Sequence, residues 1–99
     1  MISKKKLLIT RIMQIQLSLK EKDVTLALFD REKFFDEEKW VDENNLLEKF
    51  FPIIDTILKR NNISIGDVDN FELVTDIPSG YTTARIARTI IKTLNFAHK

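Results

Sequence analysis

Residues 74–97 read VTDIPSGYTTARIARTIIKTLNFA. A β-branched run meets Pro78-Ser79-Gly80, and apolar residues then recur at helical spacing as far as Ala97. Strand, small-residue turn and helix is how many α/β proteins build a phosphate site. On that reading Ser79, Gly80, Thr82 and Arg85 would contact an anion at the free helix N-terminus. The competing reading is architectural. Pro78 ends the strand, Gly80 allows a sharp bend, and Ser79 or Thr82 caps a helix running from about Tyr81. No Gly-rich phosphate loop accompanies the turn, and the architectural reading is preferred.

Upstream of this stretch the periods differ. Met13 to Lys20 alternates strictly between apolar and polar, which predicts a strand with one buried face. The polar KEKD (20–23) separates it from VTLALF (24–29), apolar enough for a central strand. DREK (30–33) is a second polar turn, and FFDEEKW (34–40) a third strand that becomes charged toward its end. Short turns make these three an antiparallel meander. Helical spacing takes over in 42–61, read as one helix with Asp42 or Asn44 as N-cap and a bend at Pro52. NNISIGDVDN (61–70) is a connector, and FELVT (71–75) a fourth strand. The order is β-β-β-α-β-α. The helical crossover lets strand four lie parallel to strand one, which gives sheet order 3-2-1-4 with the helices on one face or split between faces.

Composition narrows the function classes. Ninety-nine residues make one domain, and a net charge of +1 argues against nucleic-acid binding driven by overall charge. The absence of cysteine excludes disulfides and cysteine-based zinc sites. Three apolar residues, Leu7 to Ile9, are too few for a signal-peptide core, and no run is long enough to span a bilayer, so the expectation is a soluble cytoplasmic protein with no membrane partner. There is no His-Glu-x-x-His, and the sole histidine, His98, lies at the chain end, which leaves no material for a Ser-His-Asp triad. The DVDN of 67–70 lacks the twelve-residue loop and closing Glu of a calcium site.

From Gln14 onward the chain resembles the N-terminal lobe of the bacterial TsaB (YeaZ) family. Five pieces carry the resemblance, in register and without a gap. TLALFD (25–30) looks like the family's second strand, and LLEKFFPIIDTIL (46–58) like its first helix, where Leu-Leu-Pro-Leu-Ile-Asp is typical. ISIGDVD (63–69) is similar to its Leu-Ser-Leu-Ser-Asp-Leu-Asp connector. IPSGYTTARIA (77–87) resembles Gly-Pro-Gly-Ser-Phe-Thr-Gly-Leu-Arg-Ile-Gly, and KTLNFA (92–97) follows a Lys-Gly-Leu-Ala pattern. The resemblance implies an α+β fold, half of an actin-like, ribonuclease H-like architecture: residues 13–99 as the domain and 1–12 as an N-terminal extension. It also implies a non-catalytic role in making threonylcarbamoyladenosine on transfer RNA.

The departures matter too. Where the family's first strand ends in Asp and small hydroxyl residues, this chain has Ser18-Leu19-Lys20. Ile77-Pro78-Ser79 replaces the Gly-Pro-Gly turn. The family's superfamily binds nucleotide in a cleft between two lobes, and one lobe cannot form that cleft. The expectation is therefore no cofactor, no metal and no catalysis. The missing fifth strand of such a lobe would leave FELVT at an open sheet edge, guarded by Asp69, Glu72 and Asp76.

The helices point to a partner. At about 100° per residue, the apolar side of the first helix spans roughly 160°, wider than the roughly 100° a helix on a sheet requires. The second helix has a similarly broad stripe through Ile86, Ala87, Ile90, Ile91, Leu94 and Ala97. Two arrangements account for this width. Either the helices use all of it on each other and on the sheet, or part is exposed and covered by a partner. The resemblance favours the second, because TsaB proteins pair through these two helices with themselves or with the catalytic paralogue TsaD. It makes Leu47, Phe50, Phe51, Ile54 and Leu58 partner-binding residues on the first helix, with the aromatics as anchors. On the second it selects Tyr81, Ala84, Ala87, Ile90, Ile91 and Leu94, the alanines allowing close helix approach. A homodimer or a TsaD-type partner follows, with nucleic acid contacted only indirectly. The alternative is a small nucleic-acid or anion-binding domain using Lys4, Lys5 and Lys6 and the row Arg85, Arg88 and Lys92.

Overall fold

The computed structural model describes residues 11–97. Lys4 to Lys6 and His98 lie outside the described residues, as does most of the 1–12 extension. Three antiparallel strands come first: β1 (Met13–Lys20), β2 (Asp23–Asp30) and β3 (Lys33–Val41). Helix α1 (Leu46–Arg60), a 3₁₀ turn (Ile65–Asp67), β4 (Val68–Thr75) and helix α2 (Thr82–Ala97) follow. The sheet order is β3-β2-β1-β4, with β1 antiparallel to β2 and parallel to β4. This is the 3-2-1-4 order that the connection lengths predict.

The alternation in β1 does what a period of two requires. Met13, Ile15, Leu17 and Leu19 are buried, while Gln14, Gln16 and Ser18 point to the other face. Leu28, Leu26 and Val24 pair with Ile15, Leu17 and Leu19, and Phe71 and Leu73 extend the same face across β4. Both helices pack on this face, so the core lies in one layer between sheet and helices. The opposite face carries Gln16, Ser18 and Thr25, with Phe34 and Val74 exposed. A one-sided sheet of this kind is stable where its outer face is polar.

Two boundaries differ from the sequence reading. The cap of α1 is Asn45, not Asp42 or Asn44. Asn44 takes a left-handed φ of 64° and turns the chain, and buried Asp42 accepts the Asn45 N–H at 3.2 Å. As the helical spacing predicts, α1 is one helix through Pro52, whose carbonyl accepts the Thr56 hydroxyl at 2.9 Å. Strand β4 begins at Val68, three residues earlier than FELVT, because Val68 and Asn70 already pair with β1. Just before it, Asp67 accepts both the N–H and the hydroxyl of Ser64, which holds its carboxyl below the usual range. Asp69 accepts the Met13 N–H at 2.9 Å. The acidic DVDN segment thus serves the connector and the start of β1.

Two tethers hold the helices. Arg60, at the end of α1, donates from Nε and Nη2 to Asp36 at 2.8 and 2.9 Å and from Nη1 to Glu38 at 2.7 Å. Asn95 of α2 grips the edge strand: its Oδ1 accepts the Phe71 N–H at 2.9 Å and its Nδ2 donates to the Phe71 carbonyl at 2.8 Å. A side-chain amide there stands in for one pair of ladder bonds on the outer side of β4, the end strand of the sheet among the described residues.

Candidate interaction surface

The width of the helical stripes has two sources, and burial separates them. On α1, Phe50, Ile54 and Leu58 face the core, with Leu46 and Ile57 beside them. On α2, Ala84, Ala87, Ile90 and Ile91 are buried and Leu94 is half-buried. Seven of the eleven residues expected at a partner interface therefore already spend their surface inside the domain. Phe50 is 0 % exposed, so it is a core residue and not an accessible anchor. Small Ala84 and Ala87 let α2 lie close against its own neighbours.

Leu47, Phe51 and Tyr81 are different. They are 54 %, 45 % and 64 % exposed. Leu47 faces α2 across a groove of about 420 Å³ whose other lining includes Thr82, Arg85, Ile86 and Thr89. Phe51 stands beside a second hollow of about 400 Å³ that runs over Leu58 toward Ile63 and Ile65. Its ring meets Phe50 edge-on at 5.1 Å, so the exposed ring is steadied by the buried one. Ile86, 36 % exposed, belongs to this surface although it was not among the expected contacts. Its signal was present: it sits on the flank of the α2 stripe, one step outside the arc that the sheet covers. Phe96, 84 % exposed, lies off the stripe near the end of α2. Arg85, Arg88 and Lys92 are all exposed along α2, and Arg85 borders the inter-helix groove.

The turn before α2 has the architectural form. Tyr81 donates its N–H to the Pro78 carbonyl at 3.1 Å, and Arg85 N–H makes the first helical bond to Tyr81 O at 3.1 Å. Tyr81 thus holds the cap position, in place of Ser79 or Thr82. Gly80 does not use left-handed backbone, and a Cβ there would meet nothing within 4 Å. Nothing about Gly80 therefore marks a close cradle for a ligand. Ser79, Gly80 and Thr82 are exposed; Thr82 and Arg85 line the groove with Leu47, and Ser79 and Gly80 do not.

The turn also borders a larger cleft, of about 840 Å³, at the C-terminal ends of β1 and β4. The β1–β2 turn (Glu21, Lys22), the segment after β3 (Val41 to Asn44) and Asp76 to Pro78 enclose it, with Tyr81 and Thr83 from α2. Asp42 is held at its base, accepting the Asn45 N–H and, at 3.4 Å, the Thr83 hydroxyl. Among the described residues, no three acidic or histidine side chains are placed to hold a metal ion. No helix among them is long and apolar enough to cross a membrane.

No family model matches the chain, and no curated protein matches it. Solved structures do. YeaZ from Pseudomonas aeruginosa superposes with a TM-score of 0.73 at 18 % sequence identity, over 88 % of this chain and 40 % of that one. An uncharacterized protein with similarity to peptidase YEAZ from Pseudomonas aeruginosa gives the same TM-score and identity, over 88 % of this chain and 39 % of its own. The chain thus has the fold of part of YeaZ and spans about two fifths of the length of these structures.

Proposed function

We propose that this domain is a non-catalytic protein-interaction module of TsaB type, docking through its helix layer on a second copy of itself or on a TsaD-type protein. The observation that carries the reading is the exposure of Leu47 and Ile86 on the groove between α1 and α2, with Phe51 exposed beside the second hollow on α1. Large apolar side chains gathered on one face favour burial by a partner. The YeaZ-like fold supports it, since the sequence resembles a family that pairs through these two helices. In transfer RNA threonylcarbamoyladenosine synthesis the module would hold its partner in an active arrangement and would contact the nucleic acid only through that partner. Its place of action would be the cytoplasm.

The test is the solution mass of the purified chain by light scattering across a concentration series, alone and with a TsaD-type protein. The expected result is a dimer or a mixed complex. Phe51→Asp and Leu47→Asp should dissolve it while leaving the far-UV dichroism unchanged, because both side chains are already exposed. Ile90→Asp is unsuitable, since Ile90 is 5 % exposed and its loss would unfold the core. A chain that stays monomeric at every concentration and leaves the TsaD-type protein unbound would remove the reading.

A further inference from the structure

We propose that the cleft at the C-terminal ends of β1 and β4 receives an arginine- or lysine-bearing extended segment of a protein partner, and that it rejects polyphosphate. The cleft shares no lining residue with the outward groove between the helices, and the inference does not depend on docking there. Its walls carry four carboxylates, Glu21, Asp42, Glu43 and Asp76, against one ammonium, Lys22. The formal charge of this wall is −3 in a chain whose total is +1, so the rest of the chain carries +4. The wall is thus locally acidic in a chain that is slightly basic as a whole.

Charge alone would not choose the occupant. Two further features do. The first is that the carboxylates come from three separate segments and, among the described residues, no three are placed to hold a metal ion, an arrangement that suits an extended cationic chain better than a single ion. The second is the apolar wall. Val41 is 57 % and Tyr81 64 % exposed, both on the cleft. A long basic side chain has the matching form, an aliphatic stem for Val41 and a cation that can lie over the Tyr81 ring or reach the acid rim. The cleft's floor is already ordered. Asp42 is fixed by the Asn45 N–H and the Thr83 hydroxyl, and the Glu43 N–H is held by Asn45 Oδ1 at 3.2 Å. Little loop ordering is left to oppose binding.

The same charges oppose an anion. The start of α2 offers unpaired N–H groups, and such an end attracts phosphate by roughly half an elementary charge. Full negative charges on the same cleft outweigh it. A nucleotide does not fit this wall, although the sequence resemblance leads to a superfamily that binds one.

The experiment is amide-shift mapping of the ¹⁵N-labelled full chain with two probes, the peptide acetyl-Leu-Arg-Leu-Arg-Gly-amide and ATP with magnesium. The peptide should shift amides at Lys22, Asn44, Ile77 and Tyr81, and ATP should leave Ser79 to Ala84 unmoved. Glu43→Gln with Asp76→Asn should weaken the peptide by about fivefold or more, the effect of two rim charges lost together. The charge-matched pair Glu37→Gln with Glu72→Gln, away from the cleft, should change it by less than about twofold. Four results would overturn the proposal: ATP shifts around the turn, peptide shifts spread over the whole acidic surface, equal weakening by both double variants, or no peptide shift at millimolar concentration. Helix-face docking is read by solution mass, so either inference can fail without the other.

Discussion

Replacing Asp36 by Asn should loosen the join between α1 and the sheet in a pH-dependent way. Asp36 receives two bonds from Arg60, one from Asn61 Nδ2 at 2.9 Å and one from the Glu37 N–H at 2.8 Å. The Arg60 guanidinium is the main reason its carboxyl is held down from an ordinary 3.8 to about 2. A difference of that size corresponds to about 2.5 kcal/mol if fully realised, at about 1.4 kcal/mol per tenfold change in proton affinity. The site is near the surface, with the Asp36 side chain 23 % and the Arg60 side chain 43 % exposed, so solvent screening reduces it. Asn also keeps an acceptor oxygen for Arg60. The expected loss is about 1–1.5 kcal/mol at pH 6–7, or about 5–10 °C in Tm for a domain of this size. A carboxyl whose folded-state value is depressed stabilises above its unfolded value and loses that contribution as pH falls toward the folded one. The gap between wild type and Asp36→Asn should therefore be full at pH 6 and about half as large at pH 3. Urea titrations followed by far-UV dichroism at both pH values would measure it. Equal midpoints at pH 6, or a gap of the same size at pH 3, would refute the assignment of this bond network as a stabilising ion pair.

Other outcomes follow from particular side chains. Phe50→Ala should cost about 3–5 kcal/mol in denaturant unfolding and Phe51→Ala less than about 1, because the first ring is fully buried and the second is not. Asn95→Ala should cost about 1–3 kcal/mol and speed hydrogen exchange at the Phe71 amide, since the two bonds that Asn95 makes to the Phe71 backbone are lost. Trp40→Phe should change stability by less than about 1 kcal/mol, because it removes a buried indole N–H that has no acceptor among the described residues and keeps most of the ring. Arg88→Gln with Lys92→Gln should leave any transfer RNA affinity and its salt slope unchanged; a slope reduced by about 2 would favour direct nucleic-acid binding through α2.

The two proposed surfaces have different physical characters, and this suits different kinds of contact. The helix groove is apolar and shallow, with one cation, Arg85, on its border. It matches another helix surface. The cleft is acidic with a partly apolar wall and sits beyond the strand ends. It matches a single extended segment. Tyr81 and Thr82 are consecutive residues that border the cleft and the groove respectively, so one partner could reach both.

The sequence by itself determined the elements and their order. Period-two alternation in β1, the change to helical spacing after β3, and short polar turns against a long crossover are local properties, and local properties decide pairing direction and the 3-2-1-4 order. Element ends were less legible. Asn45 is the cap while Asp42 turns to the Asn45 N–H and the Thr83 hydroxyl, and Val68 joined β4 because β1 was there to pair with it. Only the tertiary structure decided which apolar residues are core and which are surface. Phe50 and Phe51 are identical side chains one residue apart, yet a helix turns by about 100° between them, and the position of the sheet decides which is covered. The cleft's charge was hidden for the same reason. Glu21, Asp42 and Asp76 lie on three separate segments of the chain, and the fold alone brings them to one wall.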